Sequence, residues 1–189
     1  RKAAEEAAER ATMVLEFNPR DLVSYLERAA ARLELGDLDA ADADLAEAVA
    51  IAPDSAEVLA LKGLAAARRE KNLEAIRHFT ASLALAPDDP VVLYNRGIAR
   101  AKLGLDRDAA ADFGAAAELD PGDAEAWFHR GLCRKRLGDT DAALKTLDKY
   151  AAQAANDADF HALFAFLLID HYLPTADPPR PALEWQKVG

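Results

Sequence analysis

With 189 residues, 51% of them hydrophobic and 30% charged, the chain has ample material for a continuous core. Its net charge of −10 and pI near 4.9, with no basic run interleaved with aromatics, argue against nucleic-acid binding. The single cysteine, Cys133, excludes an internal disulfide framework and a cysteine-based metal cluster, and no uncharged apolar stretch reaches the roughly 18 residues needed for membrane insertion.

Residues 3–17 read as one helix, with Ala7, Ala11 and Val14 on a face and Phe17-Asn18-Pro19 as its end. That apolar–small–proline ending returns as Ile51-Ala52-Pro53, Leu85-Ala86-Pro87 and Leu119-Asp120-Pro121, so four prolines stand 34 residues apart without a slip. A fixed period of about 20–50 residues signals a stacked array, because one unit cannot bury its own apolar face. The boundaries expected are a half-repeat over 1–19 and four full repeats over 20–53, 54–87, 88–121 and 122–155, which with their junction fill 20–157.

Each period should hold two antiparallel helices. Counting from the third residue after each proline, position 8 holds Ala29, Gly63, Gly97 and Gly131, and position 20 holds Ala41, Ala75, Ala109 and Ala143. Large residues fill position 4 (Tyr25, Leu59, Leu93, Trp127) and position 24 (Leu45, Phe79, Phe113, Leu147). Small against large at constant offsets is how two helices interlock. Gly36, Gly104 and Gly138 sit where the first helix must stop in a left-handed residue. The second repeat has Glu70 at that place, so its turn is expected to shift to Lys71-Asn72.

After the fourth period, residues 158–173 read as a closing helix. Phe160, Leu163, Phe164 and Leu167 form a stripe suited to covering the last repeat, while Ala162, Phe166, Ile169 and Leu173 form a second stripe. The proline-rich tail 174–189 carries Leu183 and Trp185, expected to dock on that second stripe; an oligomer formed through the stripe is the rival expectation. A helix at the start with no partner before it suggests a fragment of a longer array. No feature fixes a compartment, and a removed leader is compatible with a chain opening at Arg1.

The pattern resembles the tetratricopeptide repeat family. Ala126-Trp127-Phe128-His129-Arg130-Gly131 and Leu93-Tyr94-Asn95-Arg96-Gly97 are similar to its first-helix signature, and Asp139-Thr140-Asp141-Ala142-Ala143 to the start of its second helix. The resemblance covers about residues 3–155 and departs from the pattern at Glu70, Tyr150 and Ala155. It implies an all-α, right-handed α-solenoid whose first helices line a concave face. It also implies a scaffold binding a peptide or protein partner, with no cofactor. The first-helix segments sum to a charge of +7 and the second-helix segments to −14, so the groove should be the more positive wall and favour an acidic partner. Part of that segregation has a blander explanation, since Arg28 and Arg96 each have an aspartate (Asp44, Asp112) at position 23 of their own repeat.

If positions 2, 5, 9, 12 and 13 face inward, the groove is built from Leu26, Ala60, Leu64, Arg68, Tyr94, Ile98, Lys102, Phe128, Leu132, Lys135 and Arg136, with Asn95 and His129 at its edge. Apolar anchors flanked by cations suit a peptide with apolar and acidic groups. Asparagine at the place of Asn95 often bonds a ligand's backbone in this family, so the resemblance makes it the leading contact. The family's clamp for chaperone C-termini would need cations and asparagines where Ala60, Leu64, Glu125 and His129 stand; that use is not expected. His78, His129, His161 and His171 lack metal-ligand spacing, and no phosphate loop or nucleophile elbow is present, so neither catalysis nor a metal is expected. The alternative function is structural: self-assembly into a homo-oligomer through apolar terminal helices.

Overall fold

The structure, a computed structural model, describes residues 1–151 together with 161, 162, 164, 165 and 167. Among them run nine helices: α1 (Lys2–Phe17), α2 (Leu22–Leu35), α3 (Leu38–Ile51), α4 (Ala56–Arg68), α5 (Asn72–Leu85), α6 (Pro90–Lys102), α7 (Asp106–Leu119), α8 (Ala124–Arg136) and α9 (Thr140–Tyr150). Each packs on its neighbours in sequence, giving an all-α solenoid of antiparallel helices.

Local chemistry sets the helix ends. The carboxylates of Asp21, Asp37, Asp89, Asp123 and Asp139 and the hydroxyl of Ser55 accept from backbone N–H groups in the first turns of α2, α3, α6, α8, α9 and α4. Such caps satisfy donors that the helix itself leaves unpaired. Proline follows two residues beyond α1, α3, α5 and α7, and Pro90 opens α6, where its missing N–H is harmless.

The turns inside each pair are left-handed at Gly36, Gly104 and Gly138, with φ of 83°, 73° and 79°. The second pair corrects the expected shift to Lys71-Asn72: Glu70 itself takes φ 60°, in register with the three glycines. The flanking helices α4 and α5 pack as tightly as the other pairs, and their register forces the residue between them into this conformation. An L-residue there costs about 1–2 kcal/mol, partly offset by the roughly 0.5–1 kcal/mol of backbone entropy that glycine would lose. Glu70→Gly is therefore expected to stabilise by about 0.5–1 kcal/mol, read as a higher urea midpoint at unchanged slope.

The small–large code is the packing. Ala41, Ala75, Ala109 and Ala143 are all 0% exposed, and the four large residues at position 24 are buried opposite small ones. A Cβ added to Gly63 would stand 2.5 Å from Phe79, and one on Gly97 or Gly131 would stand 2.8 Å from Phe113 or Leu147. Toward the C-terminal end, Leu167 is fully buried with Trp127, Ala143 and Leu147, and Phe164 packs against that cluster.

Two inter-helix ion triads lock the stack. Asp44, 3% exposed, accepts from Arg28 Nη2 at 2.7 Å and Arg32 Nη1 at 2.6 Å. Asp112, 4% exposed, accepts from Arg96 Nη2 at 2.7 Å and Arg100 Nη1 at 2.6 Å. The pairing read from positions 7 and 23 is thus present, with a second arginine added to each carboxylate.

Candidate functional site

First helices touch across the intervening second helix, α2 with α4 and α4 with α6, while no two second helices make comparably broad contact among the described residues. A stack closing on that side curls with its first helices inside. Along this inner side, α6 and α8 carry the densest run of aromatic side chains. Tyr94 meets Phe113 edge-on at 5.5 Å and His129 at 5.8 Å; His129 stacks on Phe113 at 5.3 Å and 23°, and Phe128 approaches His129 at 5.7 Å. Offset and edge-on rings at these separations attract beyond the area they bury.

The polar groups of this cluster are oriented. Tyr94 Oη donates to Glu125 Oε2 at 3.0 Å, and burial, reinforced by that carboxylate, pushes the phenol well above its ordinary range. Burial lowers the His129 pKa, Arg136 adding to the effect and the Glu125 carboxylate opposing it, so the neutral imidazole is favoured. Asn95 Nδ2 donates to the Val91 carbonyl at 2.8 Å, which leaves its side-chain oxygen and second N–H available to a ligand. Ile98 packs half-buried against Ala109, Phe113 and Cys133, and Leu132 and Phe128 lie half-buried against the neighbouring core.

The remaining expected contacts are distributed unevenly. Leu64 is half-buried between two core clusters, and Leu26 is a core residue, 9% exposed among Ala29, Leu33 and Leu45. Arg68 is exposed at a rim shared with Arg1, Glu34 and Leu35. Lys102 is exposed at the end of α6; Lys135 is half-buried, and desolvation lowers its pKa. Arg136 donates through Nε to Asp106 at 2.7 Å and through Nη2 to Cys133 Sγ at 3.2 Å, so its charge is largely met within the fold. Phe166, Ile169, Leu173, Leu183 and Trp185 lie outside the described residues.

Three contributors escaped the sequence reading: Phe113, assigned to packing; Glu125, which fixes Tyr94; and Asp106, which pairs with Arg136. Asp106 and Arg136 lie 30 residues apart, as do Asp39 and Arg69, which pair at 2.6 Å. That recurrence was a usable signal. A cavity of about 450 Å³ lies elsewhere, between α3, α4 and α5. Within it Arg69 pairs with Asp42 at 2.8 Å, and His78 lies beside Glu74 at 3.9 Å. Among the described residues no group of His, Cys, Asp and Glu could hold a metal ion, and no helix is long and apolar enough to cross a membrane.

Two tetratricopeptide repeat family models match, one over residues 26–90 and one over 107–165. The chain belongs to the tetratricopeptide repeat family. No curated protein matches it in sequence. Among solved structures it is similar to YrrB, described as a TPR protein with an unusual peptide-binding site. That likeness has 25% identity and a TM-score of 0.75, over 87% of this chain and 85% of that one. PilW, a type IV pilus biogenesis factor, shares the fold at 22% identity and TM-score 0.77, over 93% and 89% of the two chains. TTC0263 of Thermus thermophilus does so at 21% and 0.69, over 88% and 91%. Tetratricopeptide repeat proteins are generally non-catalytic protein–protein interaction scaffolds.

Proposed function

We propose that this tetratricopeptide repeat protein captures an extended or helical polypeptide segment on its inner face, with apolar side chains of the partner against Tyr94, Ile98, Phe128 and Leu132. The observation that carries this reading is the oriented, half-buried aromatic surface on α6 and α8, bordered by Asn95 and Lys102. Asn95 bonds the partner's backbone, and Lys102 with Lys135 favours an acidic group beside the apolar anchors. YrrB, described as having a peptide-binding site, supports the same reading.

Lys102 is exposed and Asn95 bonds only its own helix, so both can be changed without disturbing the core. Peptides selected on an array by the wild-type protein are expected to be rich in apolar and acidic residues. Asn95→Ala with Lys102→Glu should weaken them by about tenfold, roughly 1.4 kcal/mol, at unchanged melting temperature. An identical array profile for wild type and the double variant overturns the reading.

A second reading, self-assembly, is favoured by α1, where Met13, Val14 and Phe17 are 55%, 46% and 89% exposed. Light scattering over a dilution series separates them: a persistent oligomer supports assembly, and a monomer at all concentrations supports peptide capture.

A further inference from the structure

The period also exposes a broken triad. In the first and third pairs, the position-7 arginine is satisfied from two sides. Arg28 Nε donates to Asp44 at 3.1 Å and Arg96 Nε to Asp112 at 3.0 Å, while their Nη1 groups donate to Thr12 at 3.1 Å and Thr80 at 3.3 Å. Each threonine lies 16 residues before its arginine, on the preceding second helix.

In α8 both arginines persist and both acceptors of Arg130 are lost. Thr146 stands where Asp44 and Asp112 stand, and Gly114 where Thr12 and Thr80 stand. Of the two arginines Thr146 meets Arg134, whose Nη1 donates to its hydroxyl at 2.9 Å and to the Ala142 carbonyl at 3.1 Å, and the hydroxyl itself donates to that carbonyl at 2.7 Å. Arg130 Nε is buried without a hydrogen-bond partner. Among the described residues the acid facing Arg130 is Glu118, 70% exposed and 3.9 Å from Nη1, beyond hydrogen-bond reach. Gly114 is nonetheless fitted to the guanidinium: a Cβ there would stand 2.8 Å from Arg130 Cζ. The Trp127 ring holds Arg130 Cζ at 5.5 Å on one approach and Lys149 Nζ at 5.2 Å on another. Burial and the adjacent Arg134 both lower the Arg130 pKa, so an added anion meets an under-compensated cation.

We propose that the seam between α7, α8 and α9 is a carboxylate site, in which an aspartate or glutamate side chain of a partner polypeptide pairs with Arg130, the cation that has lost the internal carboxylate supplied by Asp44 and Asp112 in the other pairs. The site lies on the second-helix side of α8 and does not depend on peptide capture by the inner face. A carboxylate is the ligand because it is the group that this fold uses twice at the same position, and the guanidinium edge matches its two oxygens.

The test follows the Nε–Hε NMR resonances of the intact protein, with Arg28 and Arg96 as internal controls. The probes are sodium acetate and an N-acetylated, C-amidated tetraglutamate peptide, against sodium chloride at equal ionic strength. Both carboxylates should move Arg130 saturably and leave Arg28 and Arg96 in place, the peptide half-saturating at about tenfold lower concentration than acetate. No saturable movement, or the same movement with chloride, overturns the site; acetate acting at the peptide's concentration overturns the polypeptide source. Thr146→Asp supplies the carboxylate internally. It should bring the Arg130 resonance toward those of Arg28 and Arg96 and abolish the peptide response, and a response that survives overturns the assignment.

Discussion

Asp112→Ala is expected to lower stability by about 3–5 kcal/mol, because it strands two guanidiniums that were desolvated around one carboxylate. Asp112 is 4% exposed, and the Arg96 and Arg100 side chains are only 15% and 21% exposed. Neither arginine can regain full hydration without opening the α6–α7 seam, so the loss far exceeds that of a surface ion pair, about 0–1 kcal/mol. Removing the arginines as well separates this cost from the worth of the triad. In Asp112→Ala with Arg96→Met and Arg100→Met, most of the stability should return, since apolar replacement of a whole buried ion group is close to neutral. Urea unfolding of the three proteins checks this; a single variant within about 1 kcal/mol of wild type would show that the seam is already hydrated.

These triads were partly legible in the chain. The 34-residue stride set helix number, direction and pairing, since proline and the glycine turns recur in phase with the small and large packing residues. It also brought Arg28 to Asp44 and Arg96 to Asp112, both members lying within one repeat. Contacts between successive repeats were harder to read. Arg136 counted as groove charge in a sum of formal charges, yet Asp106 of the preceding pair takes it up. Likewise the ring contacts of His129 with Tyr94 of α6 and Phe113 of α7 cross from one repeat to the next and were not read from the chain. Glu70 shows the opposite limit: local preference disfavours its left-handed backbone, and the packing of α4 on α5 overrides it.

Phe113→Ala should cost about 3–5 kcal/mol and reshape the inner face as well. The ring is fully buried, seated over Gly97, and is the surface on which His129 stacks at 5.3 Å and Tyr94 leans at 5.5 Å. Surroundings relax only partly into the space a deleted core ring leaves, so a cavity is expected beneath the proposed peptide surface. The histidine gives a readout that simple destabilisation does not. Burial is the main reason that His129 titrates below its ordinary 6.5, so its neutral form is favoured in the folded state. The stability this group contributes is present above about pH 6.5 and is lost as pH falls through the lower folded value. With Phe113 gone, water reaches the imidazole, its pKa should rise toward 6.5, and the acid-side loss of stability should shrink. NMR titration of His129 in a cold, folded Phe113→Ala sample checks this directly. An unchanged pKa there would mean that the ring owes its burial to Tyr94 and Phe128, and that the inner-face aromatics hold their arrangement without support from α7.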